Sequence, residues 1–174
     1  MTKNTNRRQL ATTTLAAGIL AAAPLANAAL ADGLLTAHRL PAALASQAVA
    51  EAVASCARQG YSETAVLVDA DGVRQAVLRG DGTGAHTLDS AFDKAYTAAT
   101  FKSDTLVMAE RAKANPAFSN LFTQIPHLIL FGGGAVIKAG DETIGAIGAA
   151  GAPGANLDDA CAKAGIDKIR DQIK

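Results

Sequence analysis

"LILFGGGAVIKAGDETIGAIG", residues 128–148, holds three short apolar runs separated by glycine-containing links. Runs of this length bounded by turn residues read as strands rather than helices. Leu128 to Phe131 reads as one strand, Gly132 to Gly134 as a tight link, and Ala135 to Lys138 as the next strand. Gly140-Asp141 then turns the chain into a last strand from Thr143 to Gly148. Links this short cannot carry a crossover, so the pairing they predict is antiparallel.

The same pattern occurs earlier. In "TAVLVDADGVRQAVLR", residues 64–79, Ala65 to Val68 and Val73 to Arg79 flank the turn Asp69-Ala70-Asp71-Gly72 and read as a hairpin. The Asp-x-Asp-Gly string lacks the later ligands and closing glutamate of a calcium loop, so the turn reading prevails. Helical spacing marks Leu40 to Gln59, where Leu44, Ala48, Val49, Ala52, Val53 and Cys56 share a face and Gly60 follows. Thr87 is the expected cap of a helix to about Thr100, with Leu88, Ala91, Phe92, Ala95, Tyr96 and Ala99 on one side. A further helix covers Leu106 to Ala114, and Pro116 opens a short irregular or helical segment that ends at Ile125-Pro126. Asn156 is the expected cap of a final helix whose first turn carries Asp158 and Asp159. The predicted architecture is therefore α/β of the α+β kind: a five-stranded antiparallel sheet flanked by helices.

The chain starts differently. Lys3, Arg7 and Arg8 precede an apolar run interrupted by Pro24, and Ala26-Asn27-Ala28 offers a small-x-small cleavage pattern. That succession reads as a secretory signal over residues 1–28, followed by one domain over 29–174. Adjacent Arg7 and Arg8 are compatible with twin-arginine as well as ordinary export. The expected location is periplasmic or secreted, with no stable membrane insertion once the signal is removed. The whole chain has 16 basic and 16 acidic residues, and the first 28 positions hold three basic and no acidic ones. The remainder carries 13 against 16, a mildly acidic domain without a basic cluster, which argues against nucleic acid as a partner. Cys56 and Cys161 could form a bridge in an oxidising compartment. Each also falls on the apolar face of a predicted helix, where a free thiol packs as a small hydrophobe.

Candidate chemistry is sparse. Gly80-Asp81-Gly82-Thr83-Gly84 lies between a strand and a helix but lacks the lysine and hydroxyl of a phosphate loop, and Asp81 would repel a phosphate. His38, His86 and His127 fit no zinc spacing. No nucleophile elbow or paired-carboxylate pattern stands out. A haem needs less: one axial side chain in an apolar slot, and cations for the propionates. His86, with Phe92, Tyr96 and Phe101 after it and Arg79 and Lys94 nearby, could supply those parts, including the metal ligand.

In their order and spacing, "VLVDADGVRQAVLRGDGTGAHTLDSAFDKAYTAATF", "FGGGAVIKAGDETIGAIGAAGAPG" and "LDDACAKAGIDKI" resemble the GlcG/HbpS haem-binding family. Arg79 and Asp81 match its Arg-x-Asp loop, and Lys94, Ala95, Thr97 and Ala98 its Lys-Ala-x-Thr-Ala helix. Gly132 to Gly134 match its strand link, and Gly145 and Gly148 its Ile-Gly-x-Ile-Gly strand. "GAAG" stands where Gly-Val-Ser-Gly is common, which removes a hydroxyl, and "DGTG" stands where Asp-Gly-Ala is frequent. The resemblance implies a profilin-like fold, frequent homo-oligomers and haem as the ligand, in some members with haem breakdown and iron handling. It makes His86 the leading contact and metal ligand, Thr97 and Tyr96 further contacts, and Arg79 and Lys94 neighbours of the ligand. His127, which precedes the glycine link, is the competing histidine. The alternative is a non-catalytic accessory or assembly module for a small metabolite or a partner protein.

Overall fold

The computed structural model describes Met1 and residues 36–173; apart from Met1, the signal segment expected over residues 1–28 lies outside the described residues. Four strands, β1 (Thr64–Asp69), β2 (Arg74–Arg79), β3 (Gly134–Ala139) and β4 (Glu142–Ala150), form one antiparallel sheet in the order β2-β1-β4-β3. The helices are α1 (Ala42–Ala57), α2 (Thr87–Phe101), α3 (Thr105–Lys113), α4 (Pro116–Phe122) and α5 (Ala155–Ile169). No described helix is long and apolar enough to cross a membrane.

Strand alternation divides the core. Ala65, Leu67, Ala135, Ile137, Ile147 and Ala149 pack with Ala48, Val49, Ala52 and Cys56 of α1 and with Cys161, Ala162, Ile166 and Ile169 of α5. Val66, Val68, Ala146 and Ala150 pack with Ala91, Phe92, Ala95, Ala98 and Ala99 of α2. Ile137 pairs with Gly145 but Lys138 pairs with Thr143, which leaves Ile144 as a bulge. The extra residue shifts the alternation by one, so Ile144 and Ile147 both enter the α1–α5 core although three positions separate them.

Small residues set the distance between layers. Gly134 and Gly148 are partners across β3 and β4. A Cβ on Gly148 would lie 2.0 Å from the Ala91 carbonyl oxygen, and one on Gly134 would lie 2.3 Å from that of Lys94. The backbone of α2 therefore rests on the sheet with no side chain between them. On the opposite side Gly165 brings α5 against α1, where an added Cβ would meet the Ala48 carbonyl at 2.5 Å. Close by, a disulfide joins Cys56 to Cys161 with both residues fully buried, so the bridged reading of the cysteines holds. Closing a loop of 105 residues is worth about 5 kcal/mol in the chain-entropy account.

Three local expectations change. The sheet has four strands, not five, because Leu128 to Phe131 is irregular backbone. The outer edge of β3, where a fifth strand would pair, is occupied by the start of α3: the Asp104 carboxylate accepts from Val136 N–H at 3.0 Å and the Thr105 hydroxyl from Gly134 N–H at 2.8 Å. Side-chain acceptors satisfy that edge and blunt it against further pairing. At α2 the cap position is His86, while Thr87 begins the helix with its hydroxyl on the Gly84 carbonyl at 2.7 Å. At α5 the cap position is Gly154 rather than Asn156.

Replacing Gly148 by Ala is expected to lower unfolding free energy by about 3 kcal/mol, because the new methyl drives α2 off the sheet. Gly140, whose φ is +57° in the β3–β4 turn, has open space around a Cβ, and Gly140→Asn should cost under about 1 kcal/mol. Urea denaturation of the two variants checks this; equal losses would contradict the close approach of α2.

Candidate functional site

One side of α2 gathers a group of polar and aromatic residues, buried or half-buried under neighbouring segments. Phe92 and Tyr96, one turn apart, lie with ring centroids 5.7 Å apart. The residues after α4 pass over them. Thr97, fully buried, donates its hydroxyl to the His127 carbonyl at 3.2 Å and accepts from Ile129 N–H at 3.0 Å. Those two bonds pin the loop with His127 in the left-handed region, at φ +66°.

The His127 ring then stands edge-on to Phe92 at 5.4 Å and to Tyr96 at 6.1 Å. Its Nδ1 meets Asp93 Oδ1 at 2.9 Å, while 58% of the side chain stays exposed. The Arg74 guanidinium covers the Phe92 ring at 3.4 Å. Tyr96 packs on the β1–β2 turn, where a Cβ on Gly72 would come within 2.8 Å of its ring. A carboxylate on Nδ1 fixes the imidazole's orientation and leaves Nε2 as the nitrogen open to a ligand, an arrangement suited to metal coordination.

Beneath α2 lies a second polar cluster. Lys94, 1% exposed, donates to Asp158 Oδ2 at 2.6 Å and to the Ala149 carbonyl at 2.9 Å. Asp158 Oδ1 and Glu63 Oε2 each accept from Ala152 N–H at 3.0 Å. Two carboxyl groups thus share one ammonium, and the second negative charge has no cation of its own. Burial, and then the charge of Asp158, push the Glu63 carboxyl up to about 8, with Lys94 opposing the rise. At neutral pH Glu63 holds a proton, and the cluster is close to neutral overall.

The residues singled out from sequence fall into four places. Tyr96, Thr97 and His127 come together on α2. His86 stands at the other end of that helix, with its ring over Gly84 and no capping hydrogen bond from its side chain. Thr97 lies eleven positions after His86, roughly 16 Å along the helix axis. Arg79 stays near His86's end, its guanidinium on the Thr83 carbonyl and its side chain lining a hollow of about 320 Å³ with Tyr61, Ser62, Leu78 and Asp81. Lys94 is engaged inside the protein, so its ammonium faces Asp158 rather than a surface ligand. Phe101 joins Phe118 and Phe122 in a separate aromatic group. Sequence reading gave Asp93, Arg74 and Glu63 no role, and placed Asp158 only in the first turn of α5. Asp93 carried a usable signal: it lies one turn before Thr97, on the same side of the helix.

A family model for HbpS-like haem degrading proteins matches residues 40–167. The crystal structure of HbpS is similar at 31% identity, covering 78% of this chain and 93% of that one, with a TM-score of 0.72. A double mutant of Streptomyces reticuli HbpS gives 33% identity, coverage of 84% and 97%, and a TM-score of 0.72. A PduOC–haem complex shares the fold at 22% identity, with coverage of 76% and 96% and a TM-score of 0.71. A comparison with curated proteins gave no match.

The Glu63 proton has a consequence for stability. A carboxyl raised from 4.5 to about 8 makes the folded state hold one more proton than the unfolded chain between those values. Its contribution is complete below the ordinary carboxyl range and is lost as pH rises through about 8. Urea midpoints should therefore fall from pH 5 to pH 9, and Glu63→Gln, a neutral mimic of the protonated acid, should flatten that fall. Parallel profiles in the two proteins would contradict the assignment.

Proposed function

The chain belongs to the family of HbpS-like haem degrading proteins, and from that premise we propose that it binds haem on the outer side of α2, with His127 as the iron ligand. The observation that carries this reading is the His127–Asp93 pair at 2.9 Å, beside the Phe92 and Tyr96 rings. An imidazole oriented by a carboxylate suits haem iron, the partly exposed Tyr96 ring gives the macrocycle apolar surface, and Arg74, seated on the buried Phe92 ring, supplies a cation for a propionate. When bound, haem brings the redox chemistry of its iron. The chain's own residues orient the ligand: Asp93 holds Nδ1, and Thr97 holds the loop that carries the ring. His86, the leading candidate from sequence, gives way to His127 in this proposal because it lacks such a partner and such neighbours. Slow breakdown of the bound haem belongs to the proposal on the family's description alone.

Export is part of the same reading, with a mature start near Ala29. The basic, apolar and small-residue succession of residues 1–28 supports it, as does the Cys56–Cys161 bridge, since disulfides persist in oxidising compartments. Self-association is also included, and the exposed Val77 and Leu78 on the edge strand β2 offer apolar surface for it.

Titration with hemin should give a saturable Soret band at one haem per chain. His127→Ala should weaken binding by at least about tenfold, the loss of a good ligand bond, and should shift the band. His86→Ala should leave affinity within about twofold. Nonspecific binding in the parent protein would favour the accessory-module alternative, and loss in His86→Ala alone would move the iron to the other end of α2. Separately, intact-mass measurement of protein recovered from the periplasm or medium should find a terminus near Ala29; an intact Met1 there would overturn the export proposal.

A further inference from the structure

We propose that the Cys56–Cys161 bridge is a second chemical site, reducible by an external dithiol that attacks Cys161, with Glu63 as the proton donor to the departing sulfur of Cys56. Neither the haem reading nor the fold requires this chemistry.

The two sulfurs sit in different surroundings. Cys56 Sγ lies 3.2 Å from Glu63 Oε2, inside the protein. A disulfide sulfur carries no hydrogen, so the proton between these atoms is the carboxyl's, and the O–H donates to sulfur. Charge balance agrees. The groups facing Glu63 are Asp158 of α5, Lys94 of α2 and the Ala152 N–H, and a single ammonium beside two carboxyls keeps one of them protonated. Glu63 Oε1 has no hydrogen-bond partner among the described residues, and the acceptor that competes with sulfur for the proton is the Asp158 carboxylate. Cys161 Sγ faces the other way. It lies 3.9 Å from Nε2 of Gln59, an exposed residue at the end of α1, just before Gly60 at φ +84°. The exposed Gln59 side chain is the solvent-facing neighbour of that sulfur.

The steps balance. A reductant thiolate attacks Cys161 Sγ, an S–S bond forms between reductant and Cys161, and the Cys56–Cys161 bond breaks. Cys56 leaves with the electron pair and takes the proton from Glu63. The new Glu63 carboxylate stays beside Lys94 and the Ala152 N–H until it regains a proton from water. The reductant's second thiolate then attacks its own bound sulfur, closes the oxidised dithiol and frees Cys161, which is protonated by solvent. A low barrier for thiol–disulfide exchange needs a stabilised leaving thiolate, and an acid at hydrogen-bond distance provides that.

The test uses the folded oxidised chain with dithiothreitol, scored by alkylation and mass. Divided by the thiolate concentration of the reagent, the rate should be constant below pH 7 and fall above about pH 8, as Glu63 ionises. Glu63→Gln should be slower by at least about tenfold at pH 7 and should lose that fall. Because Glu63→Gln could alter folding, a second measurement uses the unmodified chain. A monothiol such as 2-mercaptoethanol should be trapped as a mixed disulfide on Cys161, with Cys56 as the free, alkylated thiol. Trapping on Cys56 would overturn the proposal, as would identical rates in parent and variant, or a parent rate equal to that of global unfolding.

Discussion

The contact on which the rest depends is that between the backbone of α2 and the glycine pair Gly134–Gly148. Because no side chain intervenes, the Ala91 and Lys94 carbonyls lie almost on β4 and β3. This closeness brings the base of Lys94 near enough to the sheet for its ammonium to pass Gly133 and reach Asp158 on α5. It also holds the outer face of α2 at a fixed height, where the loop through His127 can lie across it. A Cβ on either glycine would disturb both arrangements together.

From that contact follows an unusual interior. A buried lysine is tolerated only when paired, and removing one partner of such a pair leaves an uncompensated charge. Here the pairing is completed by a proton on Glu63, so three elements, α2, the lead into β1 and α5, meet in a cluster that is neutral only while Glu63 is protonated. The same carboxyl touches Cys56, which couples the charge state of the cluster to the bridge between α1 and α5. The His127 side of α2 has a different character: aromatic, largely covered, and organised by Asp93 and Thr97 around one exposed imidazole.

Much of the fold was legible in the residue order. Short apolar runs around the turns at Asp69-Gly72 and Gly140-Asp141 marked both hairpins, and helical spacing marked α1 and α2 within a few residues. The fifth strand was misread because "LILF" has strand composition, and nothing local tells that Asp104 and Thr105, about 25 residues earlier in the chain, occupy the edge it would need. The candidate site was half legible. His86 stood out because it adjoins α2 in sequence, whereas His127 reaches α2 only through the fold of a loop, by way of Thr97. Lys94 read as a surface cation because charged side chains usually are; its burial depends on Asp158, 64 positions away, and no pattern links the two.

The central claim is that haem rests on the α2 face around His127. Paramagnetic broadening of amide resonances by ferric haem, added to isotope-labelled protein, tests it most directly. The account predicts broadening centred on Arg74, Phe92 to Thr97 and Ile125 to Ile129, with Gly80 to His86 unaffected. Broadening centred on Gly80 to His86, with the amides around His127 unchanged, would contradict it.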